Sequence, residues 1–314
     1  MQALLNVLRD YAAELMPESD GSMWRELERT AVRRLGMPAH VFLRRLPSLL
    51  RGGMRQSWAG LQAPERFTHT GGPAVMLIPG LFCTPSVFNR LGRELATLGL
   101  DVYLPRPFGF YHGVLANTDR LVHSLDMLLE DLERLKAGGL SRITLVGHSM
   151  GGLLALAALD AAARGGHDLP DLAAPVLLAT PVNGAPIARP FAALVPACRD
   201  VLPEAVILQR LRAILPEVGR VVLSAEDSLL PEGLQLAPPA DVVRMSGFQH
   251  MDFYVGNVEQ VQRSARVIAE AVHAYPAGGA KPARAAAIAD KMHARAKKAP
   301  RQRTQAAASR RKVK

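Results

Sequence analysis

The sequence predicts an α/β protein, a mostly parallel sheet doubly wound by helices on both faces. Two observations carry this. Short apolar or β-branched runs alternate with longer runs of helical periodicity through the middle of the chain, as strands joined by crossover helices do. The composition is globular: 314 residues, 49% apolar, are enough for one large domain with additions.

The elements follow in order. Ala74-Val75-Met76-Leu77-Ile78 is a strand over 74–79, ended by Pro79-Gly80. Helical spacing covers 85–98, a short strand 101–104, and helical spacing again 117–136. The run Ile143 to Val146 anchors a strand at 141–147, and the Ala/Leu-rich run Leu153 to Ala163 a helix at 150–164. Strands at 175–179, 220–225 and 241–246 precede a last helix at 256–274. Between strands 175–179 and 220–225 lies Ile187 to Val218, rich in Leu, Ala and Pro. It reads as a small helical lid, about 187–218, with Phe191, Leu194, Val195 and Leu208 on it.

Three segments result: a helical N-terminal extension (1–66), an α/β domain (67–276) and a basic tail (277–314). In the first, Leu4, Leu5, Leu8, Tyr11, Ala12 and Leu15 recur at helical spacing, as do Trp24, Leu27, Ala31 and Leu35 up to Gly36-Met37-Pro38. Helices packed on the body fit this pattern, and so does an interfacial amphipathic segment. The tail holds twelve Lys/Arg and one acid, Asp290, from Lys281 to Lys314, a charge of +11. The whole chain carries +10, so the remainder sums to −1. Ala/Lys/Arg-rich and poor in large apolar residues, the tail is expected to be disordered alone and suits polyanions or an anionic membrane.

Chemistry enters at Gly147-His148-Ser149-Met150-Gly151-Gly152, a G-x-S-x-G between a strand and a helix. A nucleophile elbow needs that context: glycines allow close backbone approach, and the serine stands at a sharp turn. A serine hydroxyl needs a histidine to take its proton and a carboxylate to orient that histidine. Asp227 follows the strand Val221-Val222-Leu223-Ser224, and His250 follows Asp241 to Met245, in the order serine, acid, base. Glu226 is the neighbouring rival for the acid and Asp252 a lesser one. His40, His69, His123, His167 and His273 read as surface residues. An oxyanion hole is expected from the amides of Leu81, after Pro79-Gly80, and Met150, after the nucleophile, with Phe82 as an alternative to Leu81.

These residues, together with Ala179-Thr180-Pro181-Val182-Asn183-Gly184-Ala185-Pro186 and His250-Met251-Asp252-Phe253, make residues 67–276 resemble the α/β-hydrolase superfamily, in its lipase and esterase branch. The resemblance implies an α/β-hydrolase fold and a cofactor-free serine hydrolase acting on small-molecule or lipid esters. Pro79 stands where relatives usually have His, and Val182 where the lipase stretch often has His. Asp252 matches the aspartate that some similar bacterial lipases use for calcium. No second carboxylate accompanies it, so a salt bridge or helix cap is the expectation, with no metal.

Ester hydrolysis with an apolar acyl chain is therefore expected, the apolar lid favouring such chains. Amide cleavage uses the same triad. The stretch 250–256 and the tail are also similar to polyhydroxyalkanoate synthases and their granule partners, which keeps acyl transfer as an alternative; those synthases carry Cys where Ser149 stands. A scaffold that binds polyanions through its tail is the non-enzymatic alternative. Two separated cysteines, Cys83 and Cys198, and the lack of a secretory pattern at Met1 to Leu8 suggest the cytoplasm.

Overall fold

The structure, a computed structural model, describes residues 62–108, 117–212, 220–227, 229–235 and 241–274. The expected N-terminal helices, the end of the lid (213–218) and the basic tail lie outside the described residues. Among the described residues no helix is long and apolar enough to cross a membrane.

β1 (Ala74–Ile78), β2 (Asp101–Tyr103), β3 (Arg142–His148), β4 (Asp171–Leu178), β5 (Arg220–Ser224) and β6 (Asp241–Met245) form one sheet in the order β2-β1-β3-β4-β5-β6. Every neighbouring pair is parallel. The chain runs from β1 out to β2, then returns past β1 to β3 and continues to β6. The strand order therefore reverses between β1 and β3, and open α/β sheets bind ligands beyond the strand ends at such a point.

Alternation along β1 explains the two layers. Ala74, Met76 and Ile78 face a core shared with α2 (Leu121–Ala137) and α3 (Met150–Arg164). Val75 and Leu77 face the opposite core, with Leu91 and Leu95 of α1 (Asn89–Thr97) and Val261, Ala265 and Ile268 of α8 (Val258–His273). A strand buried on both faces is apolar throughout, as β1 is.

Most boundaries agree to within two residues, and three departures are larger. β4 begins at Asp171, not 175. Pro175 lies inside it, at a shift of register where Thr144 pairs with Ala173 but Val146 with Val176. Proline lacks an N–H for the ladder, so a bulge accommodates it. α2 begins at Leu121, not 117, because Asn117 has a φ of +55°, outside the helical region. Residues 85–98 divide into a 3₁₀ turn (Pro85–Phe88) and α1. Two one-turn helices, α6 (Glu232–Gln235) and α7 (Asp252–Val255), carry no periodicity that four residues could reveal.

The insertion after β4 comprises a 3₁₀ turn (Pro186–Phe191), α4 (Pro196–Asp200) and α5 (Val206–Arg212). Asp200 accepts hydrogen bonds from the Arg120 guanidinium at 2.8 and 2.9 Å and from the Leu121 amide at 2.8 Å, capping α2. Arg210 pairs with Asp160 of α3 at 2.6 Å, and Arg212 Nε donates to the Val182 carbonyl at 2.8 Å. The Ala197 amide adds a 3.0 Å bond to the Thr118 carbonyl, so the described part of the insertion is tied to the body at several points.

β3 and α3 meet so closely that glycine is required where they touch. A Cβ on Gly147 would overlap the Gly151 carbonyl and the Gly152 backbone, and one on Gly151 the Ile78 carbonyl. Gly147→Ala is expected to destabilise by about 3 kcal/mol or more in chemical denaturation. Gly233→Ala, where a Cβ meets nothing within 4 Å, is expected to stay within about 1 kcal/mol. Equal effects of the two changes would remove the close-packing account.

Candidate active site

Ser149 is the single residue between β3, which ends at His148, and α3, which starts at Met150. Its backbone has φ +53° and ψ −125°, a region that residues with a Cβ rarely adopt. Two bonds hold it: the Ser149 amide donates to the Leu178 carbonyl at 2.8 Å, and the Gly152 amide to the Ser149 carbonyl at 3.0 Å. The turn is the sharp strand-to-helix elbow that the motif predicts.

Asp227 lies three residues past β5, 2% exposed, inside a set of donors. Its Oδ1 accepts from the amides of Leu229 (2.8 Å) and Leu230 (2.7 Å). Its Oδ2 lies 2.6 Å from Nδ1 of His250 and also accepts from Gln235 Nε2 at 3.5 Å. A carboxylate surrounded by donors is an acceptor, so His250 Nδ1 carries the proton and donates. Nε2 of the neutral ring is then left with its lone pair, the state that a general base requires.

The two rival carboxylates have other partners. Glu226 Oε2 accepts from the amides of Gly247 (2.6 Å) and Phe248 (3.0 Å), latching the turn between β6 and His250. Asp252 Oδ2 accepts from the Gln249 amide at 2.7 Å and from Gln260 Nε2 at 3.1 Å. Both bonds brace the turn before His250, one through a turn amide and the other through a glutamine side chain. Among the described residues no group of three or more His, Cys, Asp or Glu could hold a metal ion. Ser224 Oγ adds a 2.6 Å bond to the Phe248 carbonyl, and Gln260 Nε2 one of 2.7 Å to that of Gly247.

Gly80 and Leu81 form a turn after β1, closed by the Cys83 amide on the Gly80 carbonyl at 3.3 Å. A Cβ on Gly80 would come 3.0 Å from Ser149 Cβ, so this backbone abuts the serine, and the Leu81 amide follows directly. Met150 opens α3, and its amide is among those with no acceptor inside the helix. Phe82, the other candidate donor, has φ +59°.

Three residues that sequence reasoning passed over support this arrangement. Asn117, 1% exposed, donates from Nδ2 to the carbonyls of Pro79 (3.0 Å) and Gly80 (2.9 Å), while its Oδ1 accepts from Ser124 Oγ at 3.2 Å. Gln235, fully buried, bonds the amide and carbonyl of Ser224 as well as Asp227 and the Leu230 carbonyl. His148 donates from Nε2 to the main-chain carbonyl of His250 at 2.7 Å. Only His148 left a signal, as the variable residue inside the motif; the other two are distant polar residues with no motif around them.

Burial holds the His148 imidazole well below its usual pKa, and the nearby His250 charge adds to this against the hydrogen bond to the His250 carbonyl. The native ring stays neutral while an unfolded chain takes up a proton below about pH 6.5. Its contribution to stability is therefore complete above about pH 6.5 and is lost as pH falls below it. Unfolding free energy measured from pH 7.5 to 5 should fall more steeply in the wild type than in His148→Gln, by up to about 1.4 kcal/mol per pH unit. Parallel curves would contradict this. Both cysteines are free and buried, and burial pushes the Cys83 thiol up to about 12 and the Cys198 thiol up to about 11. Neither thiol should react with Ellman's reagent at pH 8 until the protein is unfolded.

The sequence matches the profile of the alpha/beta hydrolase family over residues 75–311. A search of curated proteins finds no match. Among solved structures the chain is similar to a metagenome-derived lipolytic enzyme, at 17% identity and a TM-score of 0.49 over 68% of this chain and 100% of that one. It is similar to the monoacylglycerol lipase of Paleococcus ferrophilus, at 15% identity and 0.47 over 65% and 96%. It is also similar to an alpha/beta hydrolase from a Mar Chica lagoon sediment metagenome in Morocco, at 17% and 0.46 over 64% and 93%. By the family match, which spans most of its length, this chain belongs to the alpha/beta hydrolase family.

Proposed function

We propose that the protein is a serine hydrolase that cleaves carboxylic esters with an apolar acyl chain through an acyl-enzyme intermediate. The observation that carries the reading is the 2.6 Å bond between His250 Nδ1 and buried Asp227, on the sheet edge that also holds Ser149 at φ +53°. Ser149 Oγ attacks the acyl carbon as His250 Nε2 takes its proton. Asp227 holds the ring and stabilises its imidazolium. The amides of Leu81 and Met150 bind the oxyanion of the tetrahedral intermediate. The alcohol leaves with the proton from His250. Water then gives a proton to His250 and attacks the acyl-enzyme, and Ser149 departs as the free hydroxyl.

Exposed apolar side chains support the acyl preference. Phe82 lies beside the proposed oxyanion donor, and Phe191, Leu194 and Val206 lie on the insertion that leaves β4 at the same sheet edge. A buried methylene contributes about 0.8 kcal/mol, roughly fourfold.

A fluorophosphonate label followed by mass mapping tests the nucleophile: the adduct is expected on Ser149, and an adduct elsewhere overturns the mechanism. Asp227→Asn should lower kcat by about four orders of magnitude. Glu226→Gln, which keeps an acceptor for the two turn amides, should cost less than about tenfold. The reverse ranking would make Glu226 the acid. Across p-nitrophenyl esters kcat/KM should rise from acetate to octanoate; a maximum at acetate would remove the apolar-chain assignment.

A further inference from the structure

The loop that carries His250 is held from several sides, yet the bonds are not equivalent. Glu226, Ser224, Gln260 and Asp252 grip the peptide groups of Gly247, Phe248 and Gln249. The bond from His148 Nε2 reaches the main chain of His250 itself. His148 is also the residue that precedes Ser149. One side chain therefore connects the backbone of the proposed nucleophile to that of the proposed base.

We propose that His148 is a positioning residue: its Nε2–H bond to the His250 carbonyl sets the base relative to the serine elbow. The inference rests on the triad assigned above and adds to it a residue that touches no reacting atom.

The chemistry of the ring supports this use. Its partner is a carbonyl, so Nε2 carries the hydrogen and Nδ1 is an acceptor. Among the described residues Nδ1 is buried without a hydrogen-bond partner, beside Gly80, where a Cβ would come within 3.3 Å of it. An orphaned buried acceptor costs about 1–3 kcal/mol, which a phenylalanine or leucine at this position would avoid. The surroundings would suit either: the ring packs on Tyr254 edge to face with centroids 4.8 Å apart, on Phe253 at 6.1 Å and on His250 at 4.8 Å. What an apolar residue could not supply is the donor.

The test compares His148→Leu, which removes the donor, with His148→Gln, which keeps an N–H at similar reach, and His148→Asn, one methylene shorter. Kinetics on a p-nitrophenyl ester are read with the low-field proton resonance of the His250–Asp227 bond and with thermal unfolding at pH 8. His148→Leu should lower kcat by about 10- to 100-fold with KM within about threefold, because an error of about 1 Å at the reacting groups has this effect. The low-field resonance should broaden or disappear. His148→Gln should restore the resonance and most of kcat, while melting temperatures remain similar. Wild-type turnover in His148→Leu, or equal losses in the leucine and glutamine variants, overturns the proposal. If the leucine variant does not fold, the glutamine and asparagine variants decide, and equal kcat in those two overturns it. Ser149→Ala separates the two levels. Full activity in Ser149→Ala removes the triad reading and this inference with it. Inactive Ser149→Ala beside fully active His148→Leu removes this inference alone.

Discussion

A left-handed backbone at Ser149 is the constraint on which the rest of this sheet edge depends. A non-glycine residue held there costs about 1–3 kcal/mol and persists only where its surroundings over-determine it. Here β3 and α3 are packed through Gly147, Gly151 and Gly152, so tightly that a Cβ on any of them collides with backbone or with Thr180. The Leu178 carbonyl of β4 then takes the Ser149 amide. Of the described non-glycine residues, Phe82, Asn117, Ser149 and Ala179 have positive φ. Phe82, Ser149 and Ala179 each follow a strand end, and Asn117 bonds the loop between β1 and Phe82. The strain is gathered at one edge, above a sheet whose central strands β1 and β3 are buried on both faces and can support it.

Asp227, Glu226 and Asp252 serve three purposes, and side-chain length with local amides separates them. Asp227 is short and enclosed: two amides fix Oδ1, leaving Oδ2 aimed at His250. Glu226, one methylene longer, reaches across to the turn after β6 and takes two amides there. Asp252 closes the far side of the same turn through Gln249. Asp227 keeps one oxygen for the His250 ring while the bonds of Glu226 and Asp252 go to the turn, which is why adjacent acids of equal charge are not interchangeable here. The turn before His250 is fixed at both ends by acceptors and is then joined to the elbow by His148.

The layout was legible because its signals are local and periodic. Apolar runs marked all six strands to within a few residues, and the elbow motif sat between a strand and a helix as its geometry demands. Positions where one backbone feature overrides periodicity were not legible. Pro175 suggested a strand start, yet a bulge lets β4 extend back to Asp171. Asn117 looked like part of a helix, while its φ and its two bonds to the Pro79-Gly80 loop make it a support for that loop. Gln235 supports Asp227 from a one-turn helix. Such residues act through contacts that exist only after folding, so spacing along the chain does not reveal them.

The identity of the donor beside His250 has a further electrostatic logic. Lysine or arginine could also donate to the His250 carbonyl, and either would do so as a permanent cation. A unit charge at about the 4.8 Å ring separation would interact with an imidazolium by roughly 3–4 kcal/mol at an effective dielectric near 20. That repulsion would oppose the proposed proton transfer from Ser149 to His250, the step in which a positive charge would develop. A histidine buried enough to stay neutral supplies the hydrogen bond without the charge. The same burial that suppresses its protonation also leaves Nδ1 without a partner among the described residues, so the orphaned acceptor and the neutral donor are two results of one packing arrangement.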